Sequence, residues 1–288
     1  GAKFISLAAR YTEGDPWDIL AKGVAKKLKK SIPLGVVLTL PATGSEMNHN
    51  SVISRRETGE KLSFGSDKVF PKFSILDPET TYSLPEKQVR NGLVDAFVHV
   101  LEQYLTYPVG AVVQDRQAEA LLMGLMEMAP KAMRQPADYD ARANYMWACT
   151  NALNHLIGMG VPQDWSTHSI GHELTALYGL DHAESLAVVL PWLLWHQRRQ
   201  KKAKLLQMGY RVFEIKCQKY DERINRTLEA LSAFFHSLGM PTTLTAYGID
   251  PEEAAGKVAQ RFEQQGGAKG ENHDIQAADV AAILRLSR

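Results

Sequence analysis

Cysteine is scarce: Cys149 and Cys217 are the only two in 288 residues. Two thiols cannot build the multi-bridge framework that staples small secreted folds, so the expectation is a reducing, cytoplasmic setting with buried or idle thiols. An excess of either charge is also lacking, since 33 Lys and Arg balance 32 Asp and Glu to a net +1. Without a clustered basic excess there is no electrostatic case for nucleic acid or an anionic membrane as partner. Long apolar runs are missing too. The longest, residues 186–195, is interrupted by Pro191 and falls well short of the roughly 20 residues that span a bilayer. An initiator Met is absent, and the chain opens Gly1-Ala2-Lys3-Phe4-Ile5-Ser6-Leu7. Phe4, Ile5, Leu7, Ala8 and Tyr11 recur at helical spacing, yet no Ser, Thr, Asp or Asn stands ahead to cap that helix. The expectation is an N-terminally truncated chain that starts inside an element.

What is present is the composition of an ordinary globular protein, 45% hydrophobic and 23% charged. Residues 1–31 read as a helix, a turn at Gly14-Asp15-Pro16-Trp17 and a lysine-rich solvated face at Lys26, Lys27, Lys29 and Lys30. Residues 32–40, apolar and bounded by Pro33 and Pro41, read as a buried strand. Short strands are expected at 51–55 and 72–76, the second ending in the Asp77-Pro78 turn. Beyond Leu84-Pro85 the periodicity becomes helical, at 88–107, 113–128, 141–158 and 167–178. Further helices are expected near 203–212, 222–238, 251–265 and 279–285. The fold class is therefore an α/β piece over 1–84 followed by an all-α domain over 85–288.

The sharpest chemical signal is Val94-Asp95-Ala96-Phe97-Val98-His99. Residues four apart share a helix face, so Asp95 and His99 point the same way. His168 and His172, in Thr167-His168-Ser169-Ile170-Gly171-His172-Glu173, repeat that spacing, and His182 follows in Gly179-Leu180-Asp181-His182. Three of nine histidines thus lie within fifteen residues. One such pair is commonly a surface ion pair, and a lone histidine such as His155, His196, His236 or His273 is an ordinary core or surface residue. Two pairs and a third imidazole together favour a divalent metal. Imidazole and carboxylate suit Zn²⁺ or Fe²⁺, and the lack of cysteine ligands argues against a purely structural zinc. Spacing does not decide which of His168 and His172 is a ligand. A second, weaker signal is the loop Thr39-Leu40-Pro41-Ala42-Thr43-Gly44-Ser45-Glu46, whose hydroxyls and backbone N–H groups suit phosphate or ribose. It is neither GxGxxG nor a P-loop, and a polar turn explains it as well.

Together these segments resemble the iron-dependent (group III) alcohol dehydrogenase family, in its butanol dehydrogenase and NADPH-dependent aldehyde reductase branch. The resemblance runs the length of the chain. It rests on residues 39–46, Gly92-Leu93-Val94-Asp95-Ala96-Phe97-Val98-His99, Gly160-Val161-Pro162-Gln163-Asp164-Trp165, 168–182 and Gly270-Glu271-Asn272-His273-Asp274. It implies the dehydroquinate synthase-like fold, a nucleotide-binding α/β domain followed by a helical domain, with the active site in the cleft between them. It implies that Asp95, His99, His168 and His182 bind the metal and that His172 lies beside it near the nicotinamide. Thr39, Thr43, Asn48, Asn50 and Lys61 match positions that touch NADP(H) or NAD(H). The family's Gly-rich pyrophosphate turn has no counterpart in these residues, so the cofactor site is expected to be about half present.

The implied chemistry is hydride transfer between NAD(P)H and a short-chain aldehyde or primary alcohol, with the metal as Lewis acid and His172 as proton relay. A homo-oligomer is expected. Two rivals stand beside it: a catalytically silent metal-binding helical module, and a metal-dependent hydrolase, for which Glu173 and Glu184 are nearby in sequence although neither lies in an HExxH motif.

Overall fold

Regular structure is sparse in the first third of the chain. A computed structural model describes residues 1–134 and 137–288. Ala2–Ala8 (α1) and Asp18–Ala21 (α2) are short helices, and α1 has no side-chain cap. Four short strands follow: Val36–Val37 (β1), Asn50–Arg55 (β2), Glu60–Gly65 (β3) and Ser74–Ile75 (β4). β1 pairs with β4 in parallel, while β2 and β3 form a separate antiparallel hairpin from Asn50↔Gly65 to Arg55↔Glu60. The hairpin turn uses Gly59 at φ +62°, a left-handed conformation that costs glycine nothing for want of a Cβ. α1, α2 and the hairpin enclose a small core of Leu7, Ile19, Leu20, Ala25, Phe64 and Val69.

The run at 32–40 departs from expectation. Only Val36 and Val37 are strand, and Ile32, Val37 and Leu40 are 43%, 56% and 41% exposed. The segment is extended, but its ladder is limited to Ser74 and Ile75, and Pro33 and Pro41 bring no N–H to lengthen it.

From Glu86 the chain is helical. Glu86–Tyr104 (α3), Val112–Arg134 (α4), Tyr139–Ala152 (α5), Ser166–Tyr178 (α6) and His182–His196 (α7) come first. Lys202–Arg211 (α8), Tyr220–Ser237 (α9), Pro251–Gln265 (α10) and Ala277–Leu286 (α11) complete the series. One large apolar core, running in sequence from Val89 to Leu284, joins them. α3 packs against α4, α5 and α7. From Leu93 to Leu101 it is apolar all round except at Asp95 and His99, and such a helix is driven to the centre.

The helices depart from the sequence reading in three places, α4 continuing to Arg134 instead of stopping near 128. α5 ends at Ala152 rather than near 158, where the Asn154 side chain accepts from Leu156 N–H and donates to Asn151, giving the chain local alternatives to helix. α7 is an added helix. Its run 186–195, apolar on every side and holding Pro191, shows no amphipathic stripe, yet residues 185–191 are all buried. Among the described residues no helix is long and apolar enough to cross a membrane.

Candidate functional site

Because α3 is buried all round, its polar residues are carried into the interior and must find partners there. Asp95 and His99 are 3% and 4% exposed and lie on one face, His99 Nδ1 being 3.4 Å from Asp95 Oδ1. α6 delivers His168, whose Nε2 is 3.1 Å from His99 Nε2 and 3.9 Å from Asp95 Oδ1. α7 delivers His182 as its first residue, with Nε2 3.6 Å from Asp95 Oδ1. Asp181 and Glu184 form a capping box there, which fixes the helix start and so the position of His182. α6 and α7 cross closely at Gly171, where a Cβ would stand 2.9 Å from Ser185 Oγ and 3.1 Å from Leu186 Cδ2.

Asp95, His99 and His168 each bring a ligand atom within 4.8 Å of the others, and His182 borders the same carboxylate. Separations of 3.1–3.9 Å suit donors around one centre with bonds of about 2.0–2.2 Å. Asp95 Oδ1 and His99 Nδ1 have no hydrogen-bond partner although both are buried. Burial pushes the Asp95 carboxyl up, against the pull of His99 and Lys61, and burial pushes His168 and His182 well down. A carboxylate with an orphaned oxygen among neutral imidazoles is the donor set of a divalent cation, and the residues fit one.

His99, His168 and His182 line a cavity of about 760 Å³ between the hairpin and the helices, with Asp95 buried behind them. Thr43, Asn48, Asn50 and Lys61 line it together with His172, whereas Thr39 is exposed and does not. Lys61, on β3, holds its Nζ 3.5 Å from His182 Nδ1, and burial lowers its pKa despite Asp95. Asn48 is fully engaged: its amide donates to Thr43 O and Leu153 O, and its Oδ1 accepts from Lys3 and Asn50 N–H. It braces the loop as well as lining the wall. His172 sits one turn beyond His168, with its ring 5.3 Å from that of His182. Burial first, then the charges of Lys61, His168 and His99, push it down to about 3, so the ring is neutral rather than titrating near pH 7.

The two glutamates of the hydrolase rival are committed elsewhere. Glu173 is 2.5 Å from Arg261 Nε and accepts from Gln265, while Glu184 accepts the Asp181 N–H. Of the lone histidines, His196 pairs with Asp279 and His236 with Thr242, and His155 stacks on His49.

Known proteins are similar to this chain along its length. The pattern of the Fe-containing alcohol dehydrogenase family, C-terminal, fits residues 90–287, and that of the iron-containing alcohol dehydrogenases fits 1–78. This chain belongs to the iron-containing alcohol dehydrogenase family. It is 55% identical over 278 residues to the NADPH-dependent aldehyde reductase YqhD of Escherichia coli, covering 96% of this chain and 71% of that protein. It is 40% identical to the probable NADH-dependent butanol dehydrogenase 1 of Bacillus subtilis, over 99% of this chain and 73% of the relative. A crystal structure of Escherichia coli YqhD superposes with a TM-score of 0.97 at 52% identity, over all of this chain and 74% of that one. NADH-dependent butanol dehydrogenase A of Thermotoga maritima gives 0.92 at 32% identity, covering 99% of this chain and 73% of its own.

In this iron-containing alcohol dehydrogenase, sequence reasoning passed over two residues at the site. Glu102, 2% exposed, lies one turn past His99 and contacts His168 Nδ1 through Oε2. The spacing Asp95, His99, Glu102 repeats a single helix face and was the available signal. Trp165 occupies the N-cap position of α6 in a left-handed conformation, φ +63°, and its ring meets that of His168 in a T-shaped contact at 5.4 Å between centroids. No local pattern marks such a backbone at a tryptophan.

Proposed function

We propose that this chain carries out hydride transfer between NAD(P)H and short-chain aldehydes or primary alcohols. One divalent metal, Fe²⁺ or Zn²⁺, would be held by Asp95, His99, His168 and His182. The observation that carries the proposal is the convergence of these four donors, two with orphaned atoms, where the three imidazoles line a cavity large enough for a nicotinamide and a small substrate. The relatives named as an NADPH-dependent aldehyde reductase and as NADH-dependent butanol dehydrogenases support the same class. When bound, the metal supplies Lewis acidity toward the substrate oxygen.

The chain's own groups do the rest. Thr43 and Asn50 present polar atoms along the wall, where the nicotinamide ribose would lie, and Asn48 holds that wall in place. Lys61 brings a cation to the reacting end of the cavity, beside His182. The neutral ring of His172 accepts a proton at one nitrogen and donates from the other, the requirement for a relay to solvent. We assign residues 1–84 to the nucleotide-binding side and 85–288 to the helical side. The separate apolar clusters of the two segments support this division. A homo-oligomer in the cytoplasm completes the proposal.

The test is NADPH oxidation with butyraldehyde, run on chelator-stripped protein and again after adding Fe²⁺ or Zn²⁺, alongside thermal unfolding. Turnover returns with metal, and metal at 100 times its dissociation constant adds about 2.7 kcal/mol of stability. Asp95→Asn abolishes both effects. Metal-dependent stabilisation with no NADPH oxidation would instead favour the silent metal-binding module.

A further inference from the structure

We propose that Glu102 is a positioning residue that fixes the tautomer of His168, keeping Nδ1 protonated and turning a bare Nε2 toward the metal. This deepens the metal-site reading above and rests on it.

Glu102 serves two groups at once. Its Oε1 accepts the backbone N–H of Thr167 at 2.7 Å and of His168 at 3.3 Å. These lie in the first turn of α6, where N–H groups have no partner within the helix and a negative charge is favoured. Its Oε2 contacts His168 Nδ1. With Oε1 occupied by two donors, Oε2 is the atom left to accept from Nδ1, and a neutral imidazole that places its one proton on Nδ1 has a bare Nε2. That Nε2 is the atom 3.1 Å from His99 Nε2 and 3.9 Å from Asp95 Oδ1.

The backbone secures the same alignment. Asp164 N–H donates to Glu102 O at 2.9 Å, and Asp164 Oδ1 accepts Ser166 N–H at 3.0 Å, so the approach to α6 is tied to one turn of α3. A histidine ligand whose second nitrogen donates to a carboxylate is held in ring orientation and tautomer, and is more basic toward the metal.

A carboxylate is the side chain this position demands. Glutamine offers one acceptor oxygen and one donor nitrogen. If its oxygen faces the two N–H groups, its NH₂ faces Nδ1, which must then accept, moving the proton to Nε2 and blocking the metal side. If the amide flips, its NH₂ opposes two backbone donors.

Two measurements test the proposal. The first is Zn²⁺ affinity of wild type and Glu102→Gln by competition with a chelator of known affinity, where a 10–100-fold weakening is expected. The second is ¹⁵N NMR of the histidine rings in Zn²⁺-loaded wild type, which does not depend on any variant folding. It should show His168 with Nδ1–H and a metal-shifted Nε2. A role limited to capping α6 would lower the melting temperature of Glu102→Gln and leave its Zn²⁺ affinity near that of wild type. That outcome, or a loaded wild type with Nδ1 on the metal, overturns the proposal while the metal site stands. A wild type that takes up no Zn²⁺ overturns both.

Discussion

Gly92 lies three residues before Asp95 on α3, and the structure leaves no room there for a side chain. A Cβ would stand 2.0 Å from Tyr145 Oη and 2.2 Å from Pro41 O, between two atoms that already form a 2.6 Å hydrogen bond. Two physical effects oppose each other in Gly92→Ala. Helix propensity alone favours alanine by about 0.8–1 kcal/mol in a helix interior. Overpacking costs about 1–3 kcal/mol, and parting the buried Tyr145 hydroxyl from its acceptor adds about 1–3 kcal/mol. Sterics win, for a net loss of roughly 1–5 kcal/mol. At about 2–4 °C per kcal/mol for a large domain, the melting point falls by several degrees or more. Thermal unfolding of the metal-loaded variant measures the loss. Zinc content shows whether the push on α3 reaches Asp95 one turn along. A variant melting at or above wild type would refute the argument, because propensity would then have outweighed the close approach.

Lys201 makes a second prediction. Its ammonium, 2% exposed, donates to Leu105 O at 2.7 Å and pairs with Asp164 at 2.9 Å and Glu271 at 2.8 Å. Lys201→Met strands two buried carboxylates and should cost about 3–5 kcal/mol at neutral pH by thermal or denaturant unfolding. A loss under about 1 kcal/mol would show the pair to be dispensable. The third concerns His49 and His155, stacked with ring centroids 4.8 Å apart and each with an unpartnered nitrogen. Burial lowers both pKa values, with the charge of Lys3 acting the same way and Asp67 opposing it at His49. Histidines kept neutral in the folded chain bind protons more readily when unfolded, so stability is full above about pH 6.5 and falls as pH drops below it. His155→Asn tolerates the φ of +73° and should narrow the gap between melting points at pH 7.5 and 5.5; an unchanged gap would remove the pair from the account.

The helical domain was legible because its helices carry an apolar stripe at regular spacing. α10 begins at Pro251 and ends at Gln265, where the pattern puts it, with Asp250 capping it and Gly266 ending it. The metal pairs were legible for the same reason, since a helix turns i and i+4 to one side. Periodicity failed at α7, although it found α3, which is also buried along most of its length. α7 has no polar face to define a stripe, so its run of apolar residues and Pro191 gave no helix signal although the helix delivers His182. It failed again at 32–40, where β-branched residues specify an extended chain but not a buried one. The contact between Glu102 and His168, 66 residues apart, is a tertiary fact with no local trace.

The arrangement around Asp95 is unfavourable as a purely structural device. A carboxylate removed from water, with one oxygen unpaired, is among the more costly groups a core can hold. Three imidazoles beside it could relieve that cost by taking protons, yet burial pushes His168 and His182 the other way. Apolar residues of similar size would pack α3, α6 and α7 at lower cost. The surrounding structure nevertheless goes to some length to maintain the cluster. Gly171 lets α6 and α7 approach, the Asp181–Glu184 capping box sets where His182 begins, and Glu102 engages the first turn of α6. Supports of this kind on three helices are expected where a fold holds a site in readiness for an ion that stabilises only the assembled form. Binding that ion would link α3, α6 and α7 through their shared donors, which predicts that metal loading slows amide exchange at all three helix segments together. Protection confined to α3 would mean that the histidines of α6 and α7 lie outside the metal's coordination.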